Sequence, residues 1–422
     1  MFSMLLKSEF IKNILSLSLA SVVAQIINFF LTTILTRIYS PYDFGLLTIF
    51  LSVASIIGVF ATGKFDVAIV VAKTRNQAIS LVRLSFFISL LFSLLVFIVI
   101  IIFKPIIIQY FKHPEITNWF YYLPLMLFFT SVSQIFWMWN VREKKFKDIS
   151  MLRILETSSN GGFSILFKPL GTIGLLFGTL ISQLVSSLFL GIKIFVRDKF
   201  NLFKFIKKDM KENALLYLDF PKYNILQGLC DMFLIIGIVL IGSRYLSVEV
   251  MGFYALALRV LQLPVGIIVR PIAHVFFAEA SEKYRNGENL YQLTRKTIIN
   301  MLLLGSIIPT ILFIAGPFLF SIIFGKQWYE AGVIAKILSI WIFLDFVKAP
   351  VAQIAAIVGK QKLVLLCTLV VSIIFVLVII SSGYFFHDNP KIFFTIISTY
   401  QSIQTIFFIL LFLKLSRKNV SL

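Results

Sequence analysis

The chain has 422 residues, of which 59% are apolar and only 14% charged, and its mean hydropathy is +0.96. Soluble domains hold about 45–50% apolar and about 25% charged residues, and disordered segments need low hydrophobicity, so both classes are excluded in favour of a polytopic membrane protein. With 39 Lys and Arg against 19 Asp and Glu, the formal charge is +20; in a membrane chain such an excess marks cytoplasmic loops rather than nucleic-acid binding.

A helix needs about 20 apolar residues to cross the hydrocarbon. Eight runs qualify without a single charge: Asn13–Thr36, Phe44–Gly63, Leu84–Phe103, Ile116–Val141, Pro169–Ile192, Thr297–Gly325, Leu363–Phe386 and Ile392–Leu413. Four more are long enough only with charges inside them: Ile149–Lys168, Phe220–Ser243, Val250–Ala278 and Trp328–Val358. The expectation is an all-α protein of about twelve spans. A β-barrel is excluded because the runs are continuous rather than alternating. The first run follows Lys7 and Lys12 and lacks a small-residue cleavage site, so it reads as a first span and not a removed signal peptide.

With the N-terminus inside, 28 Lys and Arg fall on the cytoplasmic side and 7 on the other. This bias predicts both termini in the cytoplasm. The longest loop, Lys193–Leu218, is then cytoplasmic and lies at the midpoint, which predicts two six-helix bundles, residues 1–212 and 213–422. An internal repeat supports the division. Arg37-Ile-Tyr-Ser40-Pro-Tyr-Asp-Phe-Gly45 and Arg244-Tyr-Leu-Ser247-Val-Glu-Val-Met-Gly252 both fit R-x-x-S-x-x-x-x-G, 207 residues apart, each at the end of the first span of its half. Both copies read as a turn between helices, in which Gly permits a tight backbone and Ser can cap the next helix. Two halves of like orientation imply a pseudo-two-fold axis along the membrane normal, the parallel-repeat plan of several secondary transporters.

Polar residues form stripes through several spans. At about 100° per residue, Ser18, Ser21, Gln25, Asn28, Thr32 and Thr36 share one face of the first span. Arg153, Glu156, Thr157, Asn160, Ser164 and Lys168 share a face of the fifth, and Arg259, Gln262, Gly266, Arg270 and His274 a face of the eighth. Such faces turn away from lipid, either to bond neighbouring helices or to line a wet path. Arg259, Arg270, Lys336 and Lys348 lie inside spans. Each cation costs roughly 2.5–3.5 kcal/mol at a helix centre. Asp345 and Lys348, and likewise Arg153 and Glu156, are three residues apart and able to pair on one face, while Asp231 is an available partner for Arg259 or Arg270. Structural ion pairs account for part of this charge; a hydrated cavity that attracts an anion accounts for the surplus. Arg259 and Arg270 are about 16 Å apart along a helix axis, so they read as successive sites on a path. Pro264 between them and Pro271 predict a kink.

Catalytic signatures are absent: no G-x-x-x-x-G-K-[ST], H-E-x-x-H or G-x-S-x-G occurs, and no large outer loop carries paired carboxylates. Cys230 and Cys367 lie in apolar stretches and His113, His274 and His387 show no ligand spacing, so no disulfide framework, metal or other cofactor is expected. The expectation is a protein that is not an enzyme. Asp198, Asp209 and Glu212 in the basic central loop read as a solvated face.

Several segments carry a family resemblance. Thr36–Gly45, Gly63-Lys-Phe-Asp-Val-Ala-Ile-Val70, Phe220-Pro-Lys-Tyr223, Gly252–Val260, Leu263-Pro264, Phe324-Gly-Lys-Gln-Trp-Tyr-Glu-Ala-Gly332 and Gly359-Lys-Gln-Lys362 resemble the corresponding stretches of Wzx-type polysaccharide (O-antigen) flippases. These belong to the multidrug/oligosaccharidyl-lipid/polysaccharide exporter superfamily. The resemblance implies two six-helix bundles forming a V around a central basic cavity, in a bacterial cytoplasmic membrane. It implies translocation of a polyprenyl-diphosphate-linked oligosaccharide to the outer leaflet for lipopolysaccharide or capsule synthesis, alongside polysaccharide polymerase machinery. The implied diphosphate contacts are Arg259, Arg270, Lys348, Lys336, Arg37 and Lys64. The implied polar lining is Ser18, Ser21, Gln25, Asn28, Asn160, Gln262 and His274, and the acids available for ion coupling are Glu156, Asp231 and Asp345. Asp231 departs from the family pattern.

Other readings stay open at this point. A drug or cation antiporter of the same superfamily would prefer an acidic cavity, against the four buried cations. A peptidoglycan-precursor flippase often carries extra spans, a polymerase or ligase acting on lipid-linked sugars would favour a substantial outer domain, and a non-transporting scaffold would not need polar stripes through the bilayer.

Overall fold

A computed structural model describes residues 9–111, 114–198 and 207–417. Among the described residues the regular structure is helical and no strand occurs. Among the described residues, nine helical stretches are long and apolar enough to cross a membrane, beginning with Ser21–Ile38 and ending with Pro390–Ser416, and a bent pair, Asp219–Cys230 with Met232–Gly242, adds a tenth. The chain packs as two units, one of Met1–Tyr39 with Leu46–Leu240, the other of Ser40–Gly45 with Ile241–Leu422. Against the expected division after residue 212, this partition places residues 213–240 with the first unit and Ser40–Gly45 with the second.

The first unit holds α1 (Glu9–Ile38), most of α2 (Pro41–Gly58), α3 (Phe65–Val71), α4 (Arg75–Phe111), α5 (Pro114–Trp119), α6 (Leu123–Arg142), α7 (Phe146–Leu166), α8 (Ile173–Asp198), α9 (Lys207–Leu216) and most of α10 (Asp219–Gly242). Its core gathers Phe65, Ile69, Leu81, Ile135, Trp139 and Leu190. Small residues let α7 and α8 approach closely: a Cβ on Gly178 would collide with the Ser164 hydroxyl and backbone. Tyr39 Oη donates to the Ser164 carbonyl at 2.8 Å, with Lys168 Nζ 4.3 Å from the Tyr39 ring centre. The start of α4 is fixed by a capping box, in which Thr74 Oγ1 accepts from Gln77 N–H at 3.2 Å and Gln77 Oε1 accepts from Thr74 N–H at 3.3 Å. Leu91, Leu94, Leu95 and Ile98 on α4 stay exposed, as lipid-facing side chains should.

The apolar run expected to continue to Gly63 is interrupted. Helix α2 ends at Gly58, the chain turns through Gly63 and Lys64, both at φ 57°, and α3 starts at Phe65. Glycine takes that conformation without cost; a lysine there is uncommon.

The second unit holds α11 (Val248–Pro264), α12 (Arg270–Arg285), α13 (Tyr291–Gly305), α14 (Ile307–Phe324), α15 (Tyr329–Lys348), α16 (Ile354–Ile357), α17 (Gln361–Phe385) and α18 (Pro390–Ser416). Phe346, Val347, Val351, Ile354 and Phe412 centre its core. Between α11 and α12, Val265–Val269 winds as a π-helix directly after Pro264. Proline supplies no amide proton, and the wider π turn accommodates the gap at the position where a kink was expected.

Both copies of the repeat are used in the same way. Ser40 Oγ accepts from Asp43 N–H at 3.3 Å, and Ser247 Oγ from Val250 N–H at 3.4 Å. The segment Ser40–Gly45 belongs to the second unit, and there the two glycines meet reciprocally. A Cβ on Gly45 would collide with the Val248 carbonyl, and one on Gly252 with the Pro41 carbonyl. Pro41 and Val248 occupy the same position of the repeat, so the joint is a local two-fold.

Candidate functional site

The break between α2 and α3 opens onto a cavity of about 310 Å³ inside the first unit. Its polar lining is Ser55, Thr62, Lys64, Asp66, Thr130, Ser131 and Gln134, and its apolar lining includes Leu51, Met126, Leu127 and Met232. Asp66 is only 3% exposed. Thr62 Oγ1 donates to Asp66 Oδ1 at 2.6 Å and accepts from the Lys64 N–H at 3.2 Å. Among the described residues, no Lys, Arg or His nitrogen lies within ion-pair distance of the Asp66 carboxylate. Lys64 lines the same cavity, but its Nζ lies beside α10, 3.6 Å from where a Gly228 Cβ would stand. Hydroxyls, an amide, an ammonium and a carboxylate thus line an otherwise apolar space, a set that can hydrogen-bond a hydroxylated ligand and balance a charge of either sign.

Asp66 escaped the sequence reading. It lies inside the quoted Gly63–Val70 stretch but is not among the residues singled out there, because the apolar run before it continues unbroken to Gly63. The readable signal was an acid three residues beyond a glycine in a Lys-Phe-Asp sequence that ends a span.

The other expected residues are dispersed. On α1, Ser21 accepts from Arg153 Nη1 at 2.6 Å, Asn28 Oδ1 accepts from Thr32 at 3.5 Å, Gln25 is half-buried and Arg37 is exposed. The guanidinium of Arg153 also lies over the Trp137 ring, 5.1 Å from its centre. Glu156 Oε1 accepts from Gln183 Nε2 at 2.8 Å, and Asn160 Nδ2 donates to Thr179 Oγ1 at 3.2 Å. The α7 stripe is therefore engaged in bonds to α1 and α8. In the second unit, Lys348 pairs with Asp345 at 2.5 Å, as their spacing predicts, and Lys336 Nζ lies 4.4 Å from the Phe313 ring centre. Arg259 is half-buried on α11 and Gln262 is exposed. The side chains of Ser18, Asp231, Arg270 and His274 lie outside the described residues.

Asp198, read as part of a solvated face, is instead a hub. Its side chain is 5% exposed; Oδ1 takes Lys145 Nζ at 2.8 Å and Oδ2 takes Trp139 Nε1 at 2.8 Å. Nearby, Asp148 accepts from Lys193 and Arg197, both at 2.7 Å. Tertiary proximity to Trp139, 59 residues away, made the difference.

Comparison with known proteins completes the picture. A sequence profile described as polysaccharide biosynthesis protein matches residues 34–333. No curated protein matches. Among solved structures, a lipid II flippase, MurJ, in an inward closed conformation aligns over 95% of this chain and 89% of its own, with TM-score 0.76 and 15% identity. An inward-facing multidrug resistance MATE transporter of the MOP superfamily aligns over 94% and 97%, with TM-score 0.71 and 14% identity. A MOP-superfamily transporter from Pyrococcus furiosus Vc1 aligns over 97% of each chain, with TM-score 0.60 and 15% identity. At such identities the likeness concerns the fold, a helical transporter fold of two bundles. With most of its length inside the profile, the chain belongs to the polysaccharide biosynthesis protein family and carries the fold of the MOP-superfamily transporters.

Proposed function

We propose that this protein is a flippase that moves a polyprenyl-diphosphate-linked oligosaccharide unit from the cytoplasmic to the outer leaflet of a bacterial inner membrane, for O-antigen or capsule synthesis. The observation that carries the reading is family membership in a chain built of membrane helices, with a polar cavity set among them. Polysaccharide precursors are assembled on lipid, and a precursor headgroup that crosses the bilayer needs hydrogen-bonding groups and positive charge where lipid offers neither. Thr62, Thr130, Ser131 and Gln134 are suited to sugar hydroxyls, and Lys64 to a phosphate. Arg259, Arg270, Lys336, Lys348 and Arg37 remain the further cations of the proposed path, with Lys348 already compensated by Asp345. Both termini lie on the cytoplasmic side in this reading.

The test is a deletion strain. Lipid-linked repeat units should accumulate on the cytoplasmic face, surface polysaccharide should disappear, and the wild-type gene should restore it. Normal surface polysaccharide after deletion rejects the proposal. Accumulation of a peptidoglycan precursor instead, or sensitivity to cationic drugs without a polysaccharide defect, assigns the chain to the alternative exporters of the superfamily. Complementation by R259A or R270A should be impaired at unchanged protein level in the membrane; full export by both would make these arginines structural.

A further inference from the structure

Lys336 poses a charge problem that the second unit does not solve. It lies within α15, where Gly332 lets the backbone of α14 approach so closely that a Cβ would stand 2.5 Å from the Pro317 Cα. The lysine emerges at this seam. Its Cβ lies 3.8 Å from where a Gly316 Cβ would stand, and its Nζ 4.4 Å from the Phe313 ring centre. The stem therefore runs toward Ile311, the midpoint of the charge-free run Thr297–Gly325, and not toward the nearer helix end that a snorkelling lysine seeks. The face around it is apolar and uncovered. Phe313 is 56% exposed, Ile311, Ile314 and Phe318 on α14 are exposed as well, and so is Ile340, one turn further along α15 on the side of Lys336. Such a surface meets acyl chains. Among the described residues, no carboxylate lies within ion-pair distance of Lys336, and its Nζ makes no hydrogen bond.

We propose that this face docks a membrane helix of another protein, one that carries a single Asp or Glu near the bilayer midplane, with Lys336 as its partner. An aromatic ring returns only part of the cost of an ammonium in hydrocarbon, and ionisable groups at this depth are found paired. The partner has to be an acid, and depth and stoichiometry select its kind. The phosphates of resident lipids lie at the interface, about 15 Å from the midplane. A diphosphate carries more charge than one ammonium cancels. Helix α14 has no charge to add, and its exposed hydroxyl, Thr310, bonds the Ser306 carbonyl at 2.7 Å. One carboxylate on a helix matches one ammonium, and Phe313, Ile314 and Ile340 supply apolar contact for the rest of that helix. A second copy of this chain is a poor source of the acid: Asp66 is enclosed, Glu156 is held by Gln183, and Asp345 already pairs with Lys348. The pairing takes Lys336 off the substrate path and leaves the other cations of that path in place. It does not rest on the flippase reading.

The full chain is reconstituted in phosphatidylcholine vesicles with a fluorescent donor. The probe is a synthetic Leu/Ala membrane helix of about 20 residues that carries an acceptor and either Asp or Leu at its centre. By energy transfer, wild type should bind the Asp helix about tenfold more tightly than the Leu helix. K336L should lose that preference, K336R should keep it, and K336D should instead prefer a helix with a central Lys. Equal affinity of wild type for the Asp and Leu helices, or a preference that survives K336L, overturns the proposal. If K336D does not insert, the contrast between K336L and K336R decides, since K336L only removes a charge from the membrane. Displacement of the Asp helix from wild type by a polyprenyl diphosphate but not by phosphatidylglycerol would give the lysine to a phosphate headgroup and overturns it as well. In the membranes of the native host, a photoreactive phenylalanine analogue placed at Ile340 should give one protein adduct that K336L abolishes. Mass spectrometry of the cross-linked peptide should show a span of another protein with an Asp or Glu in it. A span without an acid, a second copy of this chain, or no protein adduct rejects the docking site.

Discussion

Asp148 shows how an acid at the end of the helices is kept ionised. Burial pushes its carboxyl up, but the hydrogen bonds and charges of Lys193 and Arg197 outweigh that and hold it below the ordinary aspartate value. Since the native state lowers this value, the stabilisation is fully present above the unfolded-chain value. It is lost as the pH falls from there through the lower native one. D148N should therefore lower stability at neutral pH by about 2 kcal/mol, because two cations lose their acceptor, and should flatten the dependence of the melting temperature on pH below the usual aspartate range. K193A should cost less, about 1 kcal/mol, because that ammonium is one-third exposed and screened by solvent. Thermal unfolding of the purified protein between neutral and acid pH checks both. Equal losses for D148N and K193A would mean that Lys193 alone carries the contact.

At the scale of elements, the repeat makes a sharp prediction. Gly45 and Gly252 each lie against a carbonyl of the other copy, and no side chain can be accommodated while both backbones hold their places. G45V or G252V should force the start of α2 away from α11, with a loss of at least 1–3 kcal/mol typical of overpacking. G162A, at a helical glycine with open space around it, should be neutral. Limited proteolysis or thermal unfolding distinguishes them. The repeat, the helix-capping serines, the Asp345–Lys348 pair and the irregularity at Pro264 were legible in the sequence because each depends on neighbours within a few residues. The interrupted span, the Asp198 hub and the Asp66 cavity were not. Continuous apolarity hides a turn whose polar backbone is satisfied by bonds to the third residue before, such as Gly63 N–H to the Phe60 carbonyl at 2.9 Å. The cited partners of Asp198 come from α6 and from the turn that follows it, and can be identified only once α6 and α8 pack. The polar stripe of α7 was legible as an inward face; that it bonds α1 and α8 depends on Ser21, Thr179 and Gln183.

For the molecule as a whole, the number of crossings turns on two helices. Helices α7 and α15 are 21 and 20 residues long, enough to span the hydrocarbon, but each carries charges within it. An isolated helix would meet the full cost of Arg153 and Glu156 in lipid. In the folded unit that cost is largely offset: Arg153 bonds Ser21 and lies on Trp137, and Glu156 is held by Gln183. Lys348 and Asp345 on α15 neutralise each other, and Lys336 rests against Phe313. Both helices are thus expected to cross, shielded by their neighbours, which brings the total to twelve together with the ten apolar candidates. A cysteine pair settles it. In a chain with Cys230 and Cys367 replaced, K147C at the start of α7 and L170C just beyond its end, both exposed positions, should label from opposite sides of the membrane with an impermeant thiol reagent. The positive-inside bias assigns Lys147 to the cytoplasm, so intact spheroplasts should label L170C alone and inverted vesicles K147C alone. Labelling of both from one side would mean that α7 turns back without crossing, and the parity that keeps the two termini on one face would fail with it.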